Sequence, residues 1–396
     1  MDFSFLFLYT GTMSFLRREH RTVRGVMDVG SSAIKGMLFE MPSADALPRP
    51  RPIRKFVWGL PDALPPLRLV QKVKKSIGEM IKAVRDMPEQ IYIGVGPAIG
   101  EGALEDWMIR MSEDKGMLTW HDIHAVYRRL FAEHTDPRRA TIASPIELLV
   151  NGYSLAWQDG WHTEGILPRS QVQEICFRTL GFTMALESGA VFMEVKKDFA
   201  SVPIEFLPLA LAEKEAVVKN LGIRDAFIID IGGSETALVS VREGRFIHAA
   251  FMPFGTDRIA ASLPGRLPIE ARAIIRQYGM GMGDASLRAE VSASVTRVAE
   301  DWKKQFVAVL DVFYPTGSLP ATVLVSGGGA RLREMRAMIE ARDWLGAFSY
   351  TDQPSVRVLE GAGFFGGDTL GGNLQGPEDT GLAALILYAF QHQPIF

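Results

Sequence analysis

The chain contains very little cysteine, no excess of either charge and, at its start, no apolar run long enough to cross a membrane. Cys176 is the one cysteine among 396 residues, which excludes an intrachain disulfide and a cysteine-based zinc cluster. This cysteine usage favours a reducing compartment. The 43 basic and 46 acidic residues give a net charge of −3. A strongly basic nucleic-acid binder and an acidic disordered tail are therefore excluded.

The first residues combine a short apolar run with basic residues behind it. Residues 1–9 are mostly apolar, but a membrane span needs roughly 20 such residues. No basic segment precedes the run and no small-residue cleavage site follows it, so we expect no signal peptide. Aromatic and arginine residues within 15–21 are typical of a membrane-surface anchor. A frayed tail and a true start at Met13 are the alternatives.

The chain is rich in apolar residues and in glycine. Hydrophobic residues make up 47% of it, and its length allows a large core that is split over two or more lobes. Its 38 glycines exceed the number of about 28 that average usage predicts. Glycines that follow predicted strands are therefore the first candidates for a binding site.

One local pattern occurs twice, about 200 residues apart. Residues 23–28 predict a strand that ends in an aspartate and a glycine-serine turn, and residues 37–39 continue as a second strand. Residues 226–230 predict another strand with the same ending, followed by strands at 237–241 and 246–252. The repeat predicts two similar lobes that face each other.

The remaining segments alternate between helical and strand patterns. Seven prolines between Pro42 and Pro66 predict an extended loop there. Thr119, with Asp122 three residues later, predicts the capping box of a helix. Further helices are predicted at 70–84, 268–278 and 285–312, and further strands at 91–95, 141–150 and 322–325.

Three glycine-rich turns have the composition of a phosphate-binding site. Small residues let backbone N–H groups and hydroxyls approach an anion closely. The three candidate groups are Asp28, Gly30, Ser31, Ser32 and Lys35; Asp230, Gly232, Gly233, Ser234 and Glu235; and Gly327, Gly328, Gly329 and Arg331.

Each group has a role that its chemistry suggests. Asp28 and Asp230 are candidates to hold Mg²⁺ through water, because magnesium prefers one or two carboxylates together with phosphates. Lys35 offers a point charge to the phosphates. The third turn leaves room for a flat base or a ribose at a helix N-terminus.

These turns resemble the nucleotide-binding motifs of the actin, heat-shock chaperone and sugar-kinase ATPase superfamily. Residues 28–35 resemble the first phosphate motif, residues 230–236 the second, and residues 325–332 the adenosine motif. The resemblance implies an α/β protein with the actin-like ATPase fold, in which two lobes of ribonuclease H-like repeats enclose a nucleotide cleft. It also implies that ATP and Mg²⁺ bind there.

Other stretches resemble the bacterial cell-division protein family FtsA in particular. They are residues 118–123 and 144–152, which resemble the subdomain inserted in FtsA, residues 252–259, and residues 378–383. The implied division is a flexible N-terminal segment and candidate anchor (1–22), the first part of lobe I (23–100), the inserted subdomain (101–190), the return of lobe I (191–222), lobe II with the second phosphate loop (223–258), its outer helical subdomain (259–315), lobe II with the adenosine motif (316–370) and a final connecting helix (371–396).

The chain also departs from the family pattern. Where the family has Glu or Gln to position the attacking water, this sequence has Leu207. Where the family has a polar residue after the second phosphate motif, this sequence has Ala237. Neither side chain accepts a proton or orients water. The resemblance adds Gly255 to the site and aligns Arg272 and Ile275 with residues that contact the ribose and base. We therefore expect a nucleotide-binding protein that is at most a slow ATPase, and a degenerate site is the alternative.

The resemblance implies an adaptor rather than a fast enzyme. FtsA-like proteins polymerise, bind the FtsZ C-terminal peptide and link FtsZ filaments to the inner face of the cell membrane at the division site. Their C-terminal membrane helix has no counterpart here, and residues 1–22 are a candidate replacement. Two alternatives stay open: a PilM-like cytoplasmic scaffold of type IV pilus assembly, and a sugar or acid kinase of the same fold.

Overall fold

The molecule contains two sheets of the same topology, and an inserted subdomain lies beside them. The structure, a computed structural model, describes residues 22–42, 50–60, 64–111, 117–155, 165–168, 171–313, 318–341, 344, 346, 348–365 and 371–391. Each of the two sheets joins an antiparallel three-stranded meander to two parallel strands. This repeat confirms the two-lobed α/β architecture expected from the sequence.

The first sheet forms lobe I. Its strands, from one edge to the other, are β11 (Ile204–Pro208), β4 (Gln90–Val95), β1 (Val23–Val29), β2 (Ala33–Glu40) and β3 (Arg51–Gly59). Strand β1 is buried along its whole length, which explains why its sequence is nearly all apolar. It ends at the first glycine-serine turn.

The second sheet forms lobe II. Its strands, in the corresponding order, are β16 (Ser355–Val358), β15 (Thr322–Ser326), β12 (Ala226–Ile231), β13 (Thr236–Arg242) and β14 (Arg245–Met252). Strand β12 occupies the place of β1, since it pairs antiparallel with β13 and parallel with β15. The second phosphate turn therefore lies at the equivalent end of the equivalent strand.

Two helices lie between the lobes. They are α4 (Leu209–Asn220) and α9 (Thr380–Gln391), and both belong to a core cluster that includes Val26 of lobe I and Ile228 of lobe II. Helix α9 is apolar on nearly all sides, which suits a position where little of its surface meets water, whereas α4 also carries charged residues. These helices fix the two sheets relative to each other.

The other helices cover the outer faces of the lobes. In lobe I they are α1 (Pro66–Lys82) and α3 (Leu186–Asp198). In lobe II they are α5 (Asp257–Ser262), α6 (Pro268–Gly279), α7 (Ala285–Phe313) and α8 (Arg333–Glu340). Within the ranges described, no helix is both long enough and apolar enough to cross a bilayer.

The inserted subdomain has its own sheet and core. Its main sheet consists of β5 (Glu101–Arg110), β10 (Glu174–Ala185), β7 (Arg139–Val150) and β8 (Tyr153–Leu155); β6 (Met117–Thr119) pairs with β9 (Gly165–Pro168). Helix α2 (Trp120–His134) packs Ile123 and Leu130 into this core. The expected capping box at Thr119 and Asp122 is present.

The inserted sheet also touches lobe II at strand β14. The rings of Phe182 and Phe251 lie 5.0 Å apart. Arg178 donates a hydrogen bond of 3.2 Å to the carbonyl of Phe246, and Arg245 lies 3.0 Å from Glu147. The insert therefore contacts lobe II through strand β14.

The prediction of a loop between Pro42 and Pro66 is wrong over its central part. Residues 51–59 form strand β3, which pairs with β2. Pro52 is tolerated because β3 is an edge strand, where a missing N–H donor costs no ladder bond. The N-terminal anchor proposed from the sequence lies, except for Thr22, outside the described residues.

The contact between the insert and lobe II yields a stability prediction. A Cβ added at Gly102 would meet the Phe251 ring and lie 2.7 Å from Cε1 of Phe182. We expect Gly102→Ala to lower the free energy of unfolding by about 1–3 kcal/mol through overpacking. Gly363→Ala is the matched control, because the space there is open. Urea unfolding measures both, and equal midpoints for the two variants would contradict the tight packing at Gly102.

Candidate functional site

A cavity of about 720 Å³ lies between the lobes. The residues predicted for the site that line it are Asp28, Gly30, Ser31, Ser32, Lys35, Asp230, Gly232, Gly233, Glu235, Arg272, Gly327, Gly328 and Arg331. The other three, Ser234, Gly255 and Gly329, lie behind its surface and support the turns. The structure therefore brings the three predicted turns together around one space.

Strand pairing explains why the first turn presents its charged residues to the cavity. Asp28 and Lys35 are direct cross-strand partners in β1 and β2, so both side chains point to the same face. Lys35 Nζ lies 3.6 Å from Asp28 Oδ2 and also donates to the backbone carbonyl of Glu378. Asp28 is 7% exposed, so this cation is its main compensation.

The two phosphate turns touch each other across the cleft. The Ser234 N–H donates a hydrogen bond of 2.8 Å to Ser31 Oγ. A Cβ at Gly233 would lie 2.6 Å from the same oxygen, so only glycine allows this approach. The hydroxyl and backbone groups of both turns thus face a common space.

The third turn closes over the end of β12. Gly327 has φ +82°, which favours glycine, and a Cβ there would collide with the Asp230 carboxylate. Its N–H donates to the carbonyl of Pro377 at 2.9 Å, in the 3-10 turn Pro377–Asp379 that leads into α9. The adenosine motif is therefore fixed to both lobes.

Negative charge gathers where the two lobes meet. Burial, with the nearby Asp28 carboxylate, raises the pKa of Asp230 to about 6. Burial and Asp230 also raise the pKa of Glu235 to about 7. The pKa of Asp28 is raised by burial as well, although Lys35 opposes the shift. Each of these shifts shows that the ionised carboxylate lacks full compensation.

A further carboxyl group, which the sequence analysis did not predict, lies beneath this site. Glu213 of α4 is 3% exposed, and its Oε1 has no hydrogen-bond partner among the described residues. Burial, together with the Asp230 and Asp28 carboxylates, raises the pKa of Glu213 well above its usual value. Glu213 was not predicted because it is distant in sequence from both phosphate turns.

These groups fit a magnesium-bound polyphosphate. Asp28 and Asp230 are incompletely compensated carboxylates, which a divalent cation would neutralise, and the glycine turns leave room for phosphate oxygens. Within the described ranges, no three Asp, Glu, His or Cys side chains converge closely enough to hold a metal directly. A cation that Asp28 and Asp230 hold through water stays a prediction.

Besides Lys35, the cations that line the cavity include Arg331, which the sequence places in the third glycine-rich turn, and Lys55, which the sequence analysis did not connect with the site. Lys55 of β3 lies 2.7 Å from Asp379, and Arg331 Nη2 lies 2.8 Å from Glu378 Oε1. Both acids belong to the 3-10 turn before α9, so this turn ties β3 of lobe I to the adenosine motif of lobe II. Lys55 was missed because its segment was predicted to be a loop.

Arg272 lines the cavity but also holds the lobes together. Its guanidinium forms a two-point ion pair with Asp257, at 2.9 and 2.7 Å, and donates to the Leu60 carbonyl of lobe I at 3.1 Å. Ile275 also lines the cavity, although it is 7% exposed and packs into the lobe II core. Arg272 is thus a bridge between the lobes as well as a lining residue.

Leu207, which occupies the position expected to orient water, does not line the cavity. Leu207 is 1% exposed and packs in the core between the sheets, because its side chain points away from the cavity in β11. Leu209, two residues later at the start of α4, lines the cavity instead. Ala237 does line the cavity, as expected from its pairing with Asp230.

The far end of the cavity is more apolar. Ile269, Ala273 and Met280 of the α6 region, together with Leu332, line it beside Gly327 and Gly328. A flat aromatic ring suits such a space, because apolar walls and exposed backbone accommodate its faces. The cavity therefore has a charged end at the phosphate turns and a mixed end at α6, where Arg276 and Gln277 line it beside the apolar residues.

Comparison with known proteins supports the fold through structure alone. No model of a known protein family matches the sequence, and no curated protein matches it. The chain is similar to the solved PilM–PilN type IV pilus biogenesis complex, with 15% identity and a TM-score of 0.62 over 94% of this chain and 99% of that one.

Two further solved structures resemble the chain more loosely. The ethanolamine utilization protein EutJ from Carboxydothermus hydrogenoformans has 13% identity and a TM-score of 0.47, over 93% of this chain and 90% of that one. A Bacteroides thetaiotaomicron protein of actin-like ATPase fold has 8% identity and a TM-score of 0.44, over 95% and 99%. The similarity to the PilM–PilN complex, together with the two sheets of equal topology, shows that the chain has the actin-like ATPase fold.

The unpaired carboxyl group of Glu213 predicts a stability that depends on pH. A folded-state pKa above the unfolded value means that stability is complete at low pH and is lost as pH rises. We expect Glu213→Gln to be more stable than wild type, by a margin that grows between about pH 5 and pH 8. Thermal unfolding across this range measures the margin.

Glu215, on the same helix, provides the matched control. Its neighbours Lys214 and Lys219 lie 2.7 Å away and, against the effect of burial, hold the pKa of Glu215 below its usual value. Such a group stabilises the folded state above its unfolded pKa. Glu215→Gln should therefore be less stable than wild type throughout the same range. Loss of stability in both variants would contradict the account of Glu213.

Proposed function

We propose that this protein is a nucleotide-binding scaffold, which binds ATP with Mg²⁺ in the interlobe cleft and changes its interactions with partners accordingly. The observation that carries the proposal is the convergence of Asp28, Asp230 and the glycine turns on one cavity. The resemblance of the three turns to the nucleotide-binding motifs of the actin-like ATPase superfamily implies the same ligands, and the similarity to the PilM–PilN complex supports the fold. The absence of polar side chains at Leu207 and Ala237 favours a scaffold over a fast enzyme.

Within this class, we favour a PilM-like role in type IV pilus assembly. The similarity to the PilM–PilN complex extends over nearly the whole of both chains, so the inserted subdomain is included. The first phosphate turn, with Lys35 after Gly30, Ser31 and Ser32, also resembles PilM. A PilM-like protein would act as a cytoplasmic scaffold that binds an N-terminal peptide of a PilN-like protein.

An FtsA-like role is the second candidate, and residues 144–152 support it. They form most of strand β7 and the turn after it in the inserted sheet, and their sequence resembles the corresponding segment of FtsA. In this role the protein would self-associate into filaments, bind the FtsZ C-terminal peptide and contact the inner face of the cell membrane through residues 1–22.

Ligand-dependent stability tests the nucleotide part of the proposal. We expect magnesium–ATP at about 100 times its Kd to raise the free energy of unfolding by about 2.7 kcal/mol. Lys35→Met should reduce this gain, because it removes a cation from the phosphate end and keeps the aliphatic stem. Thermal unfolding with and without ligand measures the gain. No shift at millimolar magnesium–ATP would support a degenerate site and contradict the proposal.

Peptide capture separates the two roles. We expect the immobilised protein to retain a PilN N-terminal peptide in the presence of magnesium–ATP, and not an FtsZ C-terminal peptide. A scrambled peptide of the same composition is the control. Retention of the FtsZ peptide alone would favour the FtsA-like role over the PilM-like one.

A further inference from the structure

Of the acids that line the cavity, Asp230 and Glu235 have no ion pair among the described residues, and the two differ because Lys35 acts on Asp230 whereas no cation acts on Glu235. Four of the acids that line the cavity form ion pairs: Asp28 with Lys35 at 3.6 Å, Asp257 with Arg272 at 2.7 Å, Glu378 with Arg331 at 2.5 Å and Asp379 with Lys55 at 2.7 Å. No Lys, Arg or His of the described part of the chain pairs with Glu235, and none contributes to its electrostatic environment. Its carboxylate is therefore left available to a ligand.

The position of Glu235 on the second phosphate turn directs it into the cleft. Thr236, the next residue, is fully buried and accepts a hydrogen bond from the Trp302 indole in the lobe II core. Side chains alternate between the two faces of a strand, so Glu235 and Ala237 lie together on the opposite face. Both line the cavity, as Gly96 and Pro97 of lobe I do. Glu235 therefore occupies the same face as the position where the family pattern has a polar residue.

Two polar groups near the carboxylate, the Ser234 side chain and the Ala98 backbone in the 3-10 turn Pro97–Ile99 of lobe I, favour its ionised form. The charged groups that act on it are Asp230 and Asp257, both acidic. A half-buried carboxylate among acids is a stronger base than one in water, because its protonation relieves repulsion.

We propose that the Glu235 carboxylate is the proton acceptor for slow nucleoside triphosphate hydrolysis in this cleft, and so replaces the polar groups missing at Leu207 and Ala237. The inference rests on the proposed function, because it requires a nucleotide at the phosphate turns. The inference also goes beyond the proposed function, because it assigns a reaction to the site and names Glu235 as the proton acceptor.

The step balances with water as the only co-reactant. The water oxygen forms a bond to the terminal phosphorus, and one water proton passes to Glu235. The bond between that phosphorus and the bridging oxygen breaks, and its electron pair stays on the leaving nucleoside diphosphate. Glu235 then releases the proton to solvent when the products leave.

Measuring binding and turnover separately on the full chain tests the proposal. We expect Glu235→Gln to lower the rate of phosphate release from magnesium–ATP by about 10²–10⁴-fold, as is typical when a general base is lost. The Kd of magnesium–ATP should not rise, because removal of a negative charge does not weaken phosphate binding. Glu300→Gln, on the exposed face of α7, is the matched control and should keep the wild-type rate.

The outcomes distinguish this inference from the proposed function. A wild-type protein that binds magnesium–ATP but releases no phosphate, or a Glu235→Gln variant that hydrolyses at the wild-type rate, overturns the inference and leaves the proposed function standing. Absence of nucleotide binding in the wild type overturns both. If Glu235→Gln proves unfolded, Glu235→Asp, which retains the carboxylate but shortens its reach, must still bind and must hydrolyse more slowly than wild type.

Discussion

Two carboxylates, Asp28 from lobe I and Asp230 from lobe II, meet in the interlobe cleft, and the rest of the site is arranged around their charge. A buried carboxylate is costly unless a cation or hydrogen bonds compensate it. Lys35 compensates Asp28 in part, but Asp230 and the nearby Glu213 have no ion pair among the described residues. A fold that keeps these groups together without compensation is suited to a ligand that brings positive charge, such as a magnesium-bound polyphosphate.

The architecture explains why this arrangement can persist. Helices α4 and α9 fix the two sheets to each other, so the ends of β1 and β12 are held in place by a core that does not include the ligand. Arg272 and the 3-10 turn before α9 then join the rims of the cleft. Since the insert contacts β14 of lobe II, any change in the separation of the lobes would also reach the inserted sheet.

Local patterns made much of this predictable from the sequence. An apolar run followed by a glycine turn predicts the strands that end in Asp28 and Asp230. The residue spacing at Thr119 predicts the capping box. Strand β3 was missed because the prolines in its segment predict a loop. Its position at the edge of the sheet, which tolerates proline, is defined only by the folded chain. Glu213 and Lys55 were missed for a related reason: each reaches the cleft from an element whose position only the folded chain defines.

The functional assignment of single residues was less predictable than their location. Arg272 lines the cavity as expected, yet its guanidinium is engaged by Asp257 and the Leu60 carbonyl. The family pattern directed attention to Leu207, which packs in the core, while Glu235 faces the cavity two residues before Ala237. The alternation of side chains along a strand explains why Glu235 faces the cavity, but this could be deduced only once the register of β13 was known.

The central claim is that the acidic cleft binds a nucleotide more tightly when a divalent cation accompanies it. Calorimetric titration of ATP into the full chain, with Mg²⁺ and then with the Mg²⁺ chelated, tests this claim most directly. Without the cation, the triphosphate adds negative charge beside Asp28 and Asp230, so the account predicts an affinity at least about tenfold weaker, or about 1.4 kcal/mol. Equal affinity in the two titrations, or no binding in either, would contradict it.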